Sequence, residues 1–336
     1  MSRAGKSAAA AVAAFIVIGT AAAWWSLVLY GKSPARPGAP ACVVVIGRGV
    51  GISAVSGVLH SRGIIRHPFM FRLLYAVFGD GRTVKAGEYM LSAGMSPSAI
   101  LEKLLKGDVV LHRLTVPEGY TMRQIAELAE RAGLCGKDAF LCAATDRAFA
   151  ARMGIDADSF EGYLFPDTYY FPASIGPEKI IETMVGRFWA VFSDKWKKRA
   201  AMMGLTIHQV VTLASIIEKE TASGSERPLI SSVFHNRLAR GMRLESDPTV
   251  IYGIQDFNGN LTRDDLRRRT PYNTYRVKGL PPGPIANPGR DALHAALYPA
   301  STGYLYFVSR NDGTHQFSAT LEEHSRAVRK YQLHRQ

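Results

Sequence analysis

The hydrophobic pattern is most pronounced at the start of the chain. Residues Ser7 to Gly31 carry no charge, and from Ala8 to Tyr30 they are almost wholly apolar. About 20 apolar residues cross the hydrocarbon core of a bilayer, so the pattern predicts a membrane helix over 8–30 behind a short tail, residues 1–7. A cleaved signal peptide is the rival, with small residues at Thr20–Ala23 for processing. Against it, Trp24, Trp25, Leu27, Val28, Leu29 and Tyr30 continue the run, whereas a signal core spans only about 7–15 residues. The aromatics Trp24, Trp25 and Tyr30 suit a membrane–water interface. A Pro/Gly/Ala linker over 31–42 follows.

Beyond the linker the pattern alternates short β-branched runs with 3.6-period stretches, which predicts an α+β chain. Val43–Ile64 is echoed seventy residues later by Arg113–Leu134, with Gly49 matching Gly119 and Gly63 matching Gly133. Each copy predicts a strand, a glycine turn, a helix and a glycine stop. Between them come a strand over Ala86–Leu91 and a helix over Ser96–Leu105, capped by Ser96 and ended by Gly107. Further helices are predicted over Lys137–Met153, from Pro177 to about Met203, from His208, near Arg227–Ala239, over Asp291–Leu297 and over Leu321–Leu333, with a strand at Tyr304–Ser309. Thr206 and Gln209 form a capping-box pattern before the His208 helix.

Ile207–Glu220 is the helix that points to chemistry. At 100° per residue, Val210, Val211, Leu213, Ala214 and Ile217 make its apolar side, and Glu218 projects between Val211 and Ala214. Glu220 falls near Leu213, on the other margin. Burial raises a carboxyl pKa, which suits a general acid working near neutrality; a glutamate at a frayed end, reaching solvent or an arginine, is the plainer alternative.

The formal net charge is +13, and eight basic residues precede the first acidic one, Asp80. A basic segment beside a membrane helix reads as contact with anionic headgroups. Nucleic acid is the weaker reading, since no binding motif accompanies the charge. Cys42, Cys135 and Cys142 make no disulfide framework. Pairing of Cys135 with Cys142 would require the intervening helix to start after Gly136, and free thiols are the expectation. No Cys/His metal spacing and no phosphate-binding glycine loop occur, so neither a metal nor a cofactor is expected.

From Phe234 onward, aromatics interleave with Asn, Ser, Asp and Arg, a mixture suited to stacking on sugar rings and bridging hydroxyls. The strings EGYLFPDTY (Glu161–Tyr169), ASIIEKET (Ala214–Thr221), SDPTVIYG (Ser246–Gly253) and YNTYRVKGLPPGPIANPG (Tyr272–Gly289) are long and unusual. With them the chain closely resembles the endolytic murein transglycosylases, also called peptidoglycan terminases. The resemblance implies an N-terminal membrane helix, LysM-like strand–helix units over 43–135, which bind wall glycan or simply space the rest from the membrane, and a mainly helical catalytic domain with a small sheet over 136–336. It implies a single-pass protein of the inner membrane with a cytoplasmic N-terminus and a periplasmic bulk, an orientation that the flanking charges alone leave near a tie. Contact with peptidoglycan synthases is a further expectation from the family.

The resemblance also implies that Glu218 is the catalytic residue and that the substrate is the peptidoglycan strand, cut between MurNAc and GlcNAc to leave a 1,6-anhydro end. Asn236, Ser246, Asp247, Tyr272, Asn273, Tyr275, Asn287 and His315 are the candidate substrate contacts. Glu161, Asp247 and Glu220 are possible second carboxylates, so a hydrolase remains open, as does a non-enzymatic wall-binding scaffold. Glu245 stands where the family usually has Gln, Thr314 replaces a glycine, and Ser325 replaces an asparagine.

Overall fold

The computed structural model describes residues 3–173, 175–221 and 223–333. About half of the described residues are helical, and their strands form three two-stranded sheets. It divides into two compact units, one running to His112 and one holding most of the chain from Arg113 onward.

The first unit contains α1 (Arg3–Lys32), β1 (Ala41–Ile46), α2 (Ile52–Ser61), α3 (Pro68–Phe78), β2 (Gly87–Ser92) and α4 (Pro97–Lys106). Within α1, Ala11–Lys32 is long and apolar enough to cross a membrane, with a mean hydropathy of 2.1. β1 and β2 pair antiparallel, from Ala41 opposite Ser92 to Ile46 opposite Gly87. Their inward residues Val44, Ile46, Tyr89 and Leu91 join Val55, Leu59, Phe71, Leu74, Ile100 and Leu104 in one core. Ser96 caps α4 by accepting the Ala99 N–H, and Gly107 ends it in the left-handed region. The sequence pattern gave no sign of α3, because its apolar residues fall on both faces.

The second unit contains β3 (Leu111–Thr115), α5 (Met122–Arg131), α6 (Lys137–Ala144), α7 (Arg147–Arg152), β4 (Thr168–Pro172), α8 (Pro177–Val191), α9 (Asp194–Met202), α10 (Ile207–Glu220), α11 (Arg227–Ala239), α12 (Asp247–Tyr252), α13 (Arg263–Arg267), α14 (Arg290–Leu297), β5 (Tyr306–Ser309), β6 (His315–Ser318) and α15 (Leu321–Val328). The repeat seen in the sequence is visible in the backbone. Gly49, Gly63, Gly119 and Gly133 all have positive φ, and the two helix ends close alike, with Ile64 N–H donating to Leu59 O and Leu134 N–H to Ala129 O.

Two predicted helices are broken. Lys137–Met153 is α6 and α7, because Asp146 turns its side chain onto the Phe149 N–H and starts a new helix. Pro177–Met203 is α8 and α9, separated at Phe192 and Ser193. The last helix ends at Val328 and continues as a wider turn to Leu333. α6 begins at Lys137, as pairing of Cys135 with Cys142 would require, yet both thiols are free.

Candidate active site

α10 is the axis of the second unit. Its capping box is formed as expected: Thr206 Oγ1 accepts the Gln209 N–H, and Gln209 Oε1 accepts the Thr206 N–H. The helix is buried all round, not on one side: every residue from Val210 to Ile217 is inside. Its polar residues are satisfied there. Thr212 donates to His208 O at 2.7 Å, and Ser215 donates to Thr212 O while accepting the Ile285 N–H. Past Ile217 the last turn approaches the surface, and it carries Glu218 and Glu220. Two residues apart, their side chains leave the helix about 200° apart, so each has its own surroundings.

Glu218 is enclosed, with 5% of its side chain exposed. Oε1 accepts from Arg227 at 2.7 Å, and Oε2 accepts the Gly289 N–H at 2.9 Å. Gly289 is the N-cap of α14, so the carboxyl lies at the positive end of that helix. Arg227, on the first turn of α11, also reaches Glu118 at 3.4 Å and Asp291 at 3.7 Å. Those two are 47% and 75% exposed, and the cluster opens to solvent on their side. A Cβ at Gly289 would collide with the Glu118 carboxyl and displace it. Burial pushes Glu218 above the ordinary carboxylate range, helped by nearby Glu118 and opposed by the Gly289 N–H and Arg227.

Glu220 faces the other way, into a cavity of about 450 Å³ whose lining includes Asp247, Tyr275, His315, Glu245 and Arg237. Ser246 donates a short hydrogen bond to its Oε1. Burial pushes its pKa up to about 7, with Ser246 opposing. Among the described residues, no lysine or arginine lies within ion-pair distance of it. Tyr275 donates to Asp247 at 2.7 Å. His315 is held by Glu226, through its N–H at 2.9 Å and Nδ1 at 2.7 Å. Glu245 has a positive φ and accepts from Arg237 at 3.1 Å, so the residue that departs from the family pattern serves as an acceptor.

The structure thus brings Ser246, Asp247, Tyr275 and His315 together around Glu220. The other candidates lie elsewhere. Asn236 donates to Thr302 O and Tyr304 O. Asn273 is fully buried, and its amide ties down Leu266 O and Arg268 O. Asn287, also fully buried, accepts the Leu164 N–H and donates to Tyr120 O and to Glu161. Tyr272 is half-buried against Tyr252. Glu161 is enclosed among Met122 N–H, Tyr252 and Asn287 donors, and burial lifts it to about 7. Sequence reasoning missed Arg227, Glu118 and the Glu226–His315 pair; nothing local marks Arg227, whose partners come from three other segments. No group of three or more His, Cys, Asp or Glu suited to a metal occurs among the described residues.

The site is thus an interior helix that ends in two divergent buried carboxyls, one of them beside a polar and aromatic cavity. Residues 44–330 match the model of the YceG-like family, and the chain belongs to that family. It is 33% identical over 323 residues to the endolytic murein transglycosylase of Bacillus subtilis (strain 168), covering 90% of this chain and 89% of that one. It is 31% identical over 320 residues to the endolytic murein transglycosylase of Streptococcus pneumoniae serotype 2 (strain D39), covering 86% of this chain but 58% of the longer relative. The crystal structure of a YceG-like protein from Listeria monocytogenes is similar with a TM-score of 0.60 and 36% identity, over 85% of this chain and 98% of that one.

Proposed function

We propose that this chain is a membrane-anchored lytic transglycosylase that cuts MurNAc–GlcNAc bonds within nascent peptidoglycan strands and so ends their elongation. The observation that carries the reading is the enclosed Glu218 carboxyl, raised by burial and backed by one arginine and one helix N-terminus. Protonated Glu218 donates to the glycosidic oxygen, and the bond from that oxygen to C1 of the muramoyl sugar breaks. Arg227 and the Gly289 N–H stabilise the carboxylate left behind. That carboxylate then takes the proton of the same sugar's 6-hydroxyl as O6 closes on C1. The product is a 1,6-anhydro end, and no water is consumed. A tethered nucleophile supplies an effective molarity on the order of 10⁵ M or more, which is why one carboxylate suffices where hydrolases use two.

In this reading α1 crosses the inner membrane, with the residues after it in the periplasm. The strand–helix–helix–strand order of β1, α2, α3 and β2 supports a LysM-like role in holding wall glycan, and synthases of the strand are the expected neighbours. Ser246, Asp247, Tyr275 and His315, beside Glu220, contact sugars of the strand away from the bond that Glu218 cleaves, while Asn236, Asn273 and Asn287 fix the loops that carry them. A second reading gives the first proton to Glu220, because it lines the cavity and has no paired cation. Uncrosslinked glycan strands, the full-length protein and mass analysis of products separate these readings. Glu218→Gln should abolish anhydro ends while Glu220→Gln retains them. Full cleavage by Glu218→Gln would remove that residue as the acid, and products heavier by one water would identify a hydrolase.

A further inference from the structure

Helix α3 carries an apolar row that the fold leaves uncovered. Its inner face, Phe71 and Leu74, is in the core. On the other side Phe69, Leu73 and Val77, spaced four residues apart, are 65%, 38% and 39% exposed. Scattered exposed apolar residues are ordinary, but a row along one helix marks a contact surface. The Arg72 guanidinium lies 5.9 Å from the Phe69 ring centroid and borders the row. Arg62, Arg66 and Arg72 donate to Val43 O, Ala35 O and Ser53 Oγ. These are neutral oxygens, and among the described residues none of the three arginines forms an ion pair.

The position of α3 identifies what covers it. Tyr30 of α1 donates to His67 O at 3.0 Å, just before α3 begins, and Trp24 packs on Phe78, where α3 ends, at 5.7 Å between rings. At Gly31 a Cβ would stand 2.6 Å from Ser98 Oγ, so α1 is held tightly against this unit. α3 therefore lies beside the last two turns of the apolar helix, at the level of its interfacial aromatics. A groove of about 340 Å³ between them is lined by Trp24, Val28, Leu74, Phe78, Leu101 and Leu105, with Lys32, Ser98 and Glu102 also at its edge. Its mostly apolar lining suits an acyl chain.

We infer that α3 is a second membrane contact: its Phe69–Leu73–Val77 row lies in the headgroup–acyl boundary of the bilayer that α1 crosses, roughly 5–10 Å deep, and the neighbouring arginines meet anionic headgroups. This rests on the reading of α1 as an anchor. The test uses the full chain in phosphatidylethanolamine–phosphatidylglycerol vesicles, with the three cysteines replaced by serine. A nitroxide is placed in turn at Leu73→Cys, at Phe15→Cys on α1 and at Met202→Cys, an exposed position in the second unit. Accessibility to oxygen is compared with accessibility to a water-soluble nickel chelate. The expected result is an oxygen-favoured label at Leu73, close to the value at Phe15 and well above that at Met202. A nickel-favoured Leu73 with an oxygen-favoured Phe15 overturns the α3 contact and leaves the anchor standing. Nickel-favoured labels at both sites overturn the anchor and the α3 contact with it. A Leu73 label shielded from both reagents means that protein, such as a second copy, covers the row, and it overturns the lipid assignment.

Discussion

Glu220 makes the stability of the second unit depend on pH in a direction opposite to that of most carboxylates. Its pKa in the fold is about 7 against an ordinary 4.5, with burial the largest cause. The folded chain therefore holds a proton that the unfolded chain releases above pH 4.5. Its contribution is fully present below pH 4.5 and is lost as pH rises through 7. At about 1.4 kcal/mol for each tenfold change in proton affinity, the loss is about 3 kcal/mol. Glutamine keeps the shape and can still accept from Ser246, but cannot ionise. Glu220→Gln should therefore match the wild type near pH 4.5 and exceed it by about 3 kcal/mol at pH 8. Urea unfolding of the full chain in mild detergent, at pH 4.5, 6, 7 and 8, measures the difference; Trp189 and Trp196 report on the second unit. Parallel pH curves for the two proteins would refute the claim that burial governs this carboxyl.

Other outcomes follow from the same geometry. Arg227→Leu removes the cation from Glu218, so the carboxyl should keep its proton to higher pH and the alkaline limb of the rate profile should move upward. The maximum rate should fall about 10- to 100-fold, the value of a charge-assisted hydrogen bond of about 1.5–3 kcal/mol, as measured by release of anhydro ends. Gly162 has a φ of +88°, and a Cβ there would stand 2.5 Å from Pro284 and 2.8 Å from Val211. Gly162→Ala should cost about 1–3 kcal/mol in denaturant unfolding. Asn287→Leu strands the buried Leu164 N–H and takes a donor from Glu161, and should destabilise the second unit by about 2–5 kcal/mol, with the midpoint falling more at pH 8 than at pH 5.

Much of this architecture was legible where a local signal fixes it. Ser96 and Gly107 bracket α4, Thr206 and Gln209 start α10, and α11 spans Arg227–Ala239 as its period indicates. The paired glycines of the internal repeat were readable because a left-handed backbone favours glycine. Breaks inside periodic stretches were not legible: Asp146 and Ser193 are ordinary polar residues until the chain turns on them. The burial of α10 on every side was also hidden, because Thr212 and Ser215 look polar in sequence while their hydroxyls are spent on the helix itself. Sequence marked Glu218 as unusual but could not reveal Arg227, whose approach depends on how α10, α11 and α14 pack. Nor can sequence tell an interior amide such as that of Asn273, tied to main-chain oxygens, from one that waits for a sugar.

The segment between α1 and β1 looked like slack tether, yet its backbone is spoken for. Arg36 N–H donates to Ala93 O at 2.8 Å, and Ala39 O accepts from Ser92. With Gly31 pressed on Ser98, the joint behaves as a rigid stem. A leash would let β1 and the elements after it roam; a stem makes them turn and tilt with α1, so their distance from that helix works as a fixed ruler. Lengthening the stem by a few flexible residues would convert that ruler into a leash without altering a single residue around Glu218.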